Sequence, residues 1–219
     1  MVKKDFVIIA LDGGAGTGKS TTAHSLSTAL NLLHVDTGSH YRAVTRAFLD
    51  LGLKPSEVNQ YLNKKELQLD TQINGRKSYL TIGQKSYEKD ELRSHEINEN
   101  VSDFSSIESV RNLLFNYQKN QVEIAKINKY NGIVMEGRDI GTVILPHADI
   151  KVFLEADPHI RANRRMRDGE SDQIVNRDDK DTSRKIAPLV PANGSVHIDT
   201  GLVGIQEVTN VILDLLAKL

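Results

Sequence analysis

The stretch Gly13-Gly14-Ala15-Gly16-Thr17-Gly18-Lys19-Ser20 limits the possible folds more than anything else in the chain. It satisfies G-x-x-x-x-G-K-[ST] without a mismatch. An apolar run over residues 6–11 precedes it, long enough for one buried strand. Residues 20–30 follow, with Ala23, Leu26, Ala29 and Leu30 on one side of a predicted helix. A strand, a glycine loop and a helix start, in that order, make a phosphate site for a physical reason. Glycines let successive N–H groups converge on an anion, and the helix N-terminus adds partial positive charge. Lys19 then supplies a point charge for the β- and γ-phosphates, and the Ser20 hydroxyl a ligand for Mg²⁺ arriving with the nucleotide. The residues expected around the triphosphate run from Gly13 to Ser20 and include Thr21. An ordinary Gly-rich turn is the competing reading, and an unbroken motif behind a strand weighs against it.

With 219 residues the chain has room for a single α/β domain with a sizeable core and a small insertion. Its net charge of −1 creates no global field toward nucleic acid or membrane, so neither is an expected partner. Any anion site must then be a local arginine cluster. The absence of cysteine removes disulfides, thiolate metal sites and cysteine nucleophiles, and suits a reducing cytoplasm. Residues 1–11 run too directly into a strand to serve as a signal peptide, and no apolar run approaches membrane-spanning length.

Strands and helices alternate along the rest of the chain. Residues 32–36 read as a second short strand, and Thr37 or Ser39 as the N-cap of a helix over 41–51 that Gly52 ends. Pro55 helps start a shorter helix over 56–62. Residues 67–91 change character: apolar residues are spread among polar ones and Asn74-Gly75 is a two-residue hairpin signal. A small inserted antiparallel sheet is expected there, with a long solvated loop as the alternative. Helices over 92–102, 107–127, 158–167 and 204–219 and strands over 133–135, 150–154 and 195–198 complete the reading. The predicted fold class is α/β: a three-layer P-loop core whose five-stranded parallel sheet is covered on both faces, an inserted small antiparallel subdomain, and a mobile lid. On this division the core comprises residues 1–36, 103–157 and 186–219, the region with the insert 37–102 and the arginine-rich segment 158–185.

In an open parallel sheet, ligands bind beyond the carboxyl ends of the strands. The second strand delivers Asp36-Thr37-Gly38-Ser39-His40-Tyr41-Arg42 there, and the third delivers Glu136-Gly137-Arg138-Asp139. Arg42 and Arg138 point to a second anion beside the nucleotide, against the alternative of surface ion pairs. A denser cluster holds Arg161, Arg164, Arg165 and Arg167, then Arg177, Asp181 and Arg184, whose spacing places the last three on one helix face. Asp168-Gly169-Glu170-Ser171-Asp172 between them has turn chemistry, so an arginine-lined flap is expected rather than a merely solvated helix. The histidines show no metal spacing. His40 lies in the crevice loop but has no general base to be, and Lys77 and Lys85 read as solvated edge residues.

Together these motifs resemble the bacterial cytidylate kinases, the CMP/dCMP kinases of the nucleoside monophosphate kinase group. Leu11-Asp12-Gly13 is similar to that family's start, and Asp36 to Arg42 to its D-[ST]-G-x-x-Y-R loop. Glu136-Gly137-Arg138-Asp139-Ile140-Gly141-Thr142-Val143 is similar to its [DE]-G-R-D-x-G-T-V segment, and Arg177 to Arg184 with Ala187-Pro188-Leu189 to its R-D-x-x-D-x-x-R…P-L end. The resemblance implies phosphoryl transfer from ATP to CMP and also to dCMP, with Mg²⁺ bound along with ATP, no tightly bound organic cofactor, and a monomer. It implies that residues 37–102 are the acceptor-binding region and 158–185 the lid, and that Arg42, Arg138 and Arg177 hold the acceptor phosphate. It places Thr37, Ser102, Arg111 and Asp139 around the cytosine, and Tyr41, Asp181 and Arg184 by the ribose and its surroundings. Lys19, Arg138, Arg177 and Arg184 form the implied catalytic set. The chain departs from the family at His40, where an apolar residue is usual, and between Met166 and Arg177, where a short helix is missing. A reduced lid or an omitted stretch accounts for the second departure. A kinase for UMP or shikimate is the runner-up. A nucleotide switch is weaker still, because Asn128-Lys129-Tyr130-Asn131 lacks the Asp of a guanine-reading N-K-x-D.

Overall fold

The apolar run before the glycine loop becomes β1 (Val7–Gly13), an interior strand with parallel neighbours on both sides. The structure is a computed structural model. It describes residues 4–167, 169 and 174–219, and the side chains of all of these except 174–177. After β1 come α1 (Lys19–Leu30), β2 (Leu33–Asp36), α2 (Thr37–Asp50) and α3 (Val58–Leu62). A hairpin of β3 (Leu69–Asn74) and β4 (Lys77–Ile82) leads to α4 (Lys89–Leu92), α5 (His95–Ser105) and the long α6 (Glu108–Ile127). β5 (Gly132–Gly137), β6 (Ile150–Glu155), α7 (Pro158–Arg167), α8 (Ile174–Ser183), β7 (Val196–Asp199) and α9 (Ile205–Leu216) complete the chain.

The helix over Thr37–Asp50 starts earlier than the sequence predicts, and neither expected residue caps it. Asp36 does, accepting from Ser39 N–H at 3.1 Å. The Thr37 hydroxyl is spent instead on the Glu136 carbonyl at 2.7 Å, and that of Ser39 on the Asp36 carbonyl at 2.6 Å. The helix expected over 92–102 is displaced toward the C-terminus, because Ser94 caps α5 by accepting from Ile97 N–H.

The sheet is seven-stranded, in the order β3-β4-β2-β5-β1-β6-β7. The five expected core strands are parallel neighbours within it. The hairpin is not a separate sheet. β4 pairs in parallel with β2, His34 with Lys77 and Val35 with Ser78, and so extends the core sheet. The reason is burial: Ser78 is fully buried and donates to Gln121 of α6 at 2.6 Å, while Leu80 and Ile82 turn into the core under α2. The pairing also covers an edge of β2 that would otherwise expose unpaired backbone.

Alternation along β1 sends Val7, Ile9 and Leu11 to the face covered by α1 and α9, and Ala10 to the face covered by α6. A third cluster lies to one side. Phe48, Val58, Leu80, Phe104 and Leu114 are buried between α2, the hairpin, α5 and α6. Phe48 and Phe104 stack there with ring centroids 5.9 Å apart. The first two clusters carry the glycine loop, and the third carries α2 and the hairpin. Among the described residues, no helix is long and apolar enough to cross a membrane.

Candidate active site

The glycine loop bends out of β1 and returns as α1, aiming the helix N-terminus at the space between. Gly16 is required there: its φ is +74°, and a Cβ would stand 2.8 Å from the Arg161 carbonyl on α7. The Thr17 hydroxyl donates to the Gly14 carbonyl at 3.0 Å, and Lys19 Nζ donates to the same carbonyl at 2.6 Å. Lys19 is buried. Desolvation, then the neighbouring Arg138, push its ammonium down to about 7, against the pull of Glu136, Asp12 and Asp36. The Ser20 hydroxyl donates to Glu136 Oε2 at 2.8 Å. A hydroxyl and a carboxylate side by side at a phosphate loop are the hard oxygen donors that Mg²⁺ prefers.

A crevice of about 800 Å³ opens from this loop along the carboxyl ends of β1, β2 and β5. Gly16 to Thr21 line one end, and Ala15 borders it. Arg42 and Arg138 line the middle, as the sequence predicts for a second anion site. Arg42 also donates to the Leu92 carbonyl at 2.7 Å, which ties α2 to α4. Arg138 donates from Nε to Asp181 Oδ2 at 2.9 Å. The far wall belongs to the hairpin, including Lys77 and Tyr79. Lys77 is therefore not the solvated edge residue the sequence suggests. It is half-buried, and with His34 and His40 it outweighs the burial of Asp36 and holds that carboxyl below its usual range. Lys85 does lie on the surface, paired with Asp50 at 2.8 Å.

The residues assigned to the base and ribose converge beside the crevice rather than along its walls. Arg111 of α6 and Asp139, both buried, form an ion pair. Arg111 also donates to the Ser105 carbonyl at 3.2 Å and lies over the Tyr41 ring, 5.3 Å from its centroid. Arg184 reaches both Asp139 at 3.7 Å and Asp181 at 3.6 Å. Thr37 is buried beneath, bonded to Glu136 as described. Ser102 stands one turn before Ser105 on α5, and no side-chain bond joins it to the cluster. Arg177 is on α8, but its side chain lies outside the described residues, as do Asp168, Glu170, Ser171, Asp172 and Gln173 of the expected flap. Arg184 follows the last residue of α8 and meets Asp181 three residues before it, the pairing their spacing predicts.

His40 is on α2 with its ring in the interior, edge-on to Tyr117 at 5.1 Å, and neither ring nitrogen has a partner. Burial pushes it down to about 4, which keeps the imidazole neutral. It does not face the crevice loop as the sequence suggests; helix α2 has turned it inward.

Several residues at the site escape sequence reasoning. The Asp12 carboxylate accepts from Ile140 and Gly141 N–H at 2.8 and 2.7 Å, clamping the π turn (Ile140–Ile144) that follows Arg138 and Asp139. Burial pushes Asp12 up to about 6, against the pull of those two amides. Gly137 is needed for the same join, since a Cβ would come within 2.5 Å of the Thr37 hydroxyl. Asp178 of α8 accepts from Ala15 N–H at 3.3 Å and pairs with Arg161, seating α8 on the glycine loop. Arg164 donates to Thr200 Oγ1 and to the Thr200 carbonyl at 3.0 and 2.7 Å, and with Val203, Gly204 and Ile205 it borders the end of the crevice beyond the loop. Position at a strand's carboxyl end could have singled out Glu136. Arg161 and Arg164 stood out as members of an arginine cluster, but their partners Asp178 and Thr200, and the clamping role of Asp12, have no local signal.

A glycine loop opening a helix and a pair of arginines that share one crevice match the layout of a kinase of the P-loop class. Comparison with known proteins narrows the class. A family model described as cytidylate kinase matches residues 9–218. The cytidylate kinase of Acholeplasma laidlawii is 36% identical over 219 residues, covering 95% of this chain and 94% of the relative. That of Thermotoga neapolitana is 37% identical over 221 residues, covering 96% of each. The chain belongs to the cytidylate kinase family. A crystal structure of an uncharacterized protein from Eubacterium ventriosum superposes with a TM-score of 0.50 at 14% identity, over 99% of this chain and 100% of that one, and so shares the fold.

Proposed function

We propose that this chain transfers the γ-phosphoryl group of ATP to CMP, giving ADP and CDP, and that dCMP is accepted as well. The observation that carries the reading is the buried Arg111–Asp139 pair, set one residue beyond Arg138 at the rim of the phosphate crevice. Cytosine presents an N4 amino donor beside the N3 and O2 acceptors. A carboxylate accepts from N4, and an arginine donates to N3. Uracil reverses that edge, setting its O4 acceptor against the carboxylate and its N3–H donor against the guanidinium, so neither group gains a partner from the base.

The triphosphate occupies the loop from Gly13 to Ser20 and Thr21, with the adenine between Arg164 and the segment Val203–Ile205. Arg42 and Arg138, joined by Arg177, hold the acceptor phosphate in line with the γ-phosphorus. Lys19 and Arg138 neutralise charge that spreads over the transferring oxygens, and Arg184 approaches from the lid side. No general base is needed, because the attacking phosphate oxygen carries no proton that must leave first. Thr37 and Ser102 border the cytosine, and Tyr41 and Asp181 the ribose. Mg²⁺ would be held by Ser20, with Glu136 beside it, and when bound would supply Lewis-acid stabilisation of the phosphate charge.

A coupled assay of ADP formation with CMP, dCMP and UMP in turn tests the reading. Unpaired buried polar groups cost about 1–3 kcal/mol each, more when charged, so kcat/KM for CMP should exceed that for UMP by about a hundredfold. Equal use of CMP and UMP would leave the Arg111–Asp139 pair with no part in choosing the base.

A further inference from the structure

Glu136 is a buried carboxylate in company that makes it expensive. β2 and β5 pair His34 with Val134 and Asp36 with Glu136, so all four side chains face the α1 side of the sheet. Two carboxylates therefore stand directly opposite each other, an arrangement that like-charge repulsion opposes. Asp36 has its own compensation, from Ser39 N–H and from Lys77. Glu136 is 3% exposed, with the cations Lys19 and Arg138 acting on its charge; among the described residues its side-chain oxygens are hydrogen-bonded to Ser20 at one and to His34 at the other. His34 is itself 4% exposed, and its Nε2 lies 2.8 Å from Glu136 Oε1. A carboxylate is an acceptor, so Nε2 carries the proton and donates.

A leucine at 34 would fit the apolar face of α1 at no polar cost, whereas a buried histidine requires a partner. Its partner is the diagonal neighbour whose other oxygen takes the proton of the phosphate-loop serine. We propose that His34 is a positioning residue for the metal-bearing end of the phosphate loop. By donating to Oε1 it fixes the Glu136 carboxylate so that Oε2 takes the Ser20 proton. The Ser20 oxygen is then turned with its lone pairs toward the ion that arrives with ATP. The proposal rests on the reading of Ser20 as a Mg²⁺ ligand. It assigns His34 no contact with nucleotide, only control of the direction in which Ser20 points.

The test is calorimetric titration of ATP into the unmutated protein and into His34→Leu and His34→Gln, each with Mg²⁺ and with EDTA. Partners that orient a metal ligand are typically worth 10–100-fold in metal affinity, so His34→Leu should lose about tenfold of the Mg²⁺-dependent gain in ATP affinity. Its metal-free ATP affinity should stay within about twofold of the unmutated value, and His34→Gln, which returns an N–H near the place of Nε2, should recover most of the loss. An unchanged Mg²⁺ gain in His34→Leu overturns the proposal. So does a loss that is equal with and without metal and that His34→Gln does not repair, since that is the mark of packing alone. If the unmutated protein shows no Mg²⁺ gain, the reading of Ser20 fails first and takes the proposal with it. Should His34→Leu not fold, His34→Met is the second apolar variant, judged by the same criteria.

Discussion

The phosphate loop and the cluster proposed to read the base are built in opposite ways. The loop is a run of consecutive residues between one strand and one helix, and its ligand groups are mostly backbone amides. Its accuracy depends on a few glycines and on the sheet beneath it. The cluster draws Tyr41 from α2, Arg111 from α6, Asp139 from just before the π turn and Arg184 from beyond α8. Its working groups are side chains, charged, buried and dependent on one another. Tyr41 and Arg111 stand on the helices that pack around the Phe48–Phe104 core, a cluster that contains no residue of the loop. A defect in the loop should therefore be chemical and local. A defect in the cluster should mix binding, specificity and stability.

The largest effect should come from Lys19→Ala, which attacks the loop alone. Loss of an electrostatic group aimed at the transition state costs about 10²–10³ in kcat. The CMP/UMP preference and the melting temperature should be nearly untouched. A variant with near-normal turnover would break the division at its strongest point. Next comes Asp139→Ala on the other side. It leaves Arg111 buried without its partner, so kcat/KM for CMP should fall about 10–100-fold while ATP affinity persists. Urea unfolding should register a loss of stability in the same variant; a specificity change with full stability would show that the two are separable.

Acid should distinguish the regions more gently. His40 has a folded pKa of about 4, below its ordinary 6.5, so the fold favours the neutral ring. Its contribution is complete above pH 6.5 and is lost as pH falls toward 4, by about 1.4 kcal/mol per pH unit. Because His40 packs under Tyr117 on the acceptor side, hydrogen exchange between pH 7 and 5.5 should rise in α2 and α6 before it rises in α1. His40→Met should flatten that dependence. The smallest effect belongs to Lys85→Ala. Its pair with Asp50 at 2.8 Å lies on the acceptor side too, but the side chains are 53% and 36% exposed. Denaturant midpoints should place the change below about 1 kcal/mol. A larger value would mean that burial is not what separates the cluster's ion pairs from ordinary surface ones.

Residues 13–20 declared themselves in the sequence because their function is contiguous: spacing, glycine and a helix start are all local properties. Arg42 and Arg138 were legible for a related reason, since each follows an apolar run and strand ends converge in a parallel sheet. The alternation of strands and helices likewise determined the α/β class. Arg111 and Ser102, by contrast, could be assigned only through family resemblance, because one helix face looks much like another until it meets a partner.

Tertiary structure decided the rest. It attached the hairpin to β2, since an unpaired strand edge and the burial of Ser78 are invisible to a local pattern. It turned His40 inward, drew Lys77 toward Asp36, and set Asp12 as the clamp on a turn 128 residues away. It put His34 against Glu136, a diagonal contact fixed by strand register and not by either residue's neighbours in sequence. The sequence determined which groups the chain could offer to phosphate, because amides and charges act where the backbone puts them. Which buried polar groups face each other was decided by packing, because the cost of leaving any one of them unpaired exists only once water has been excluded.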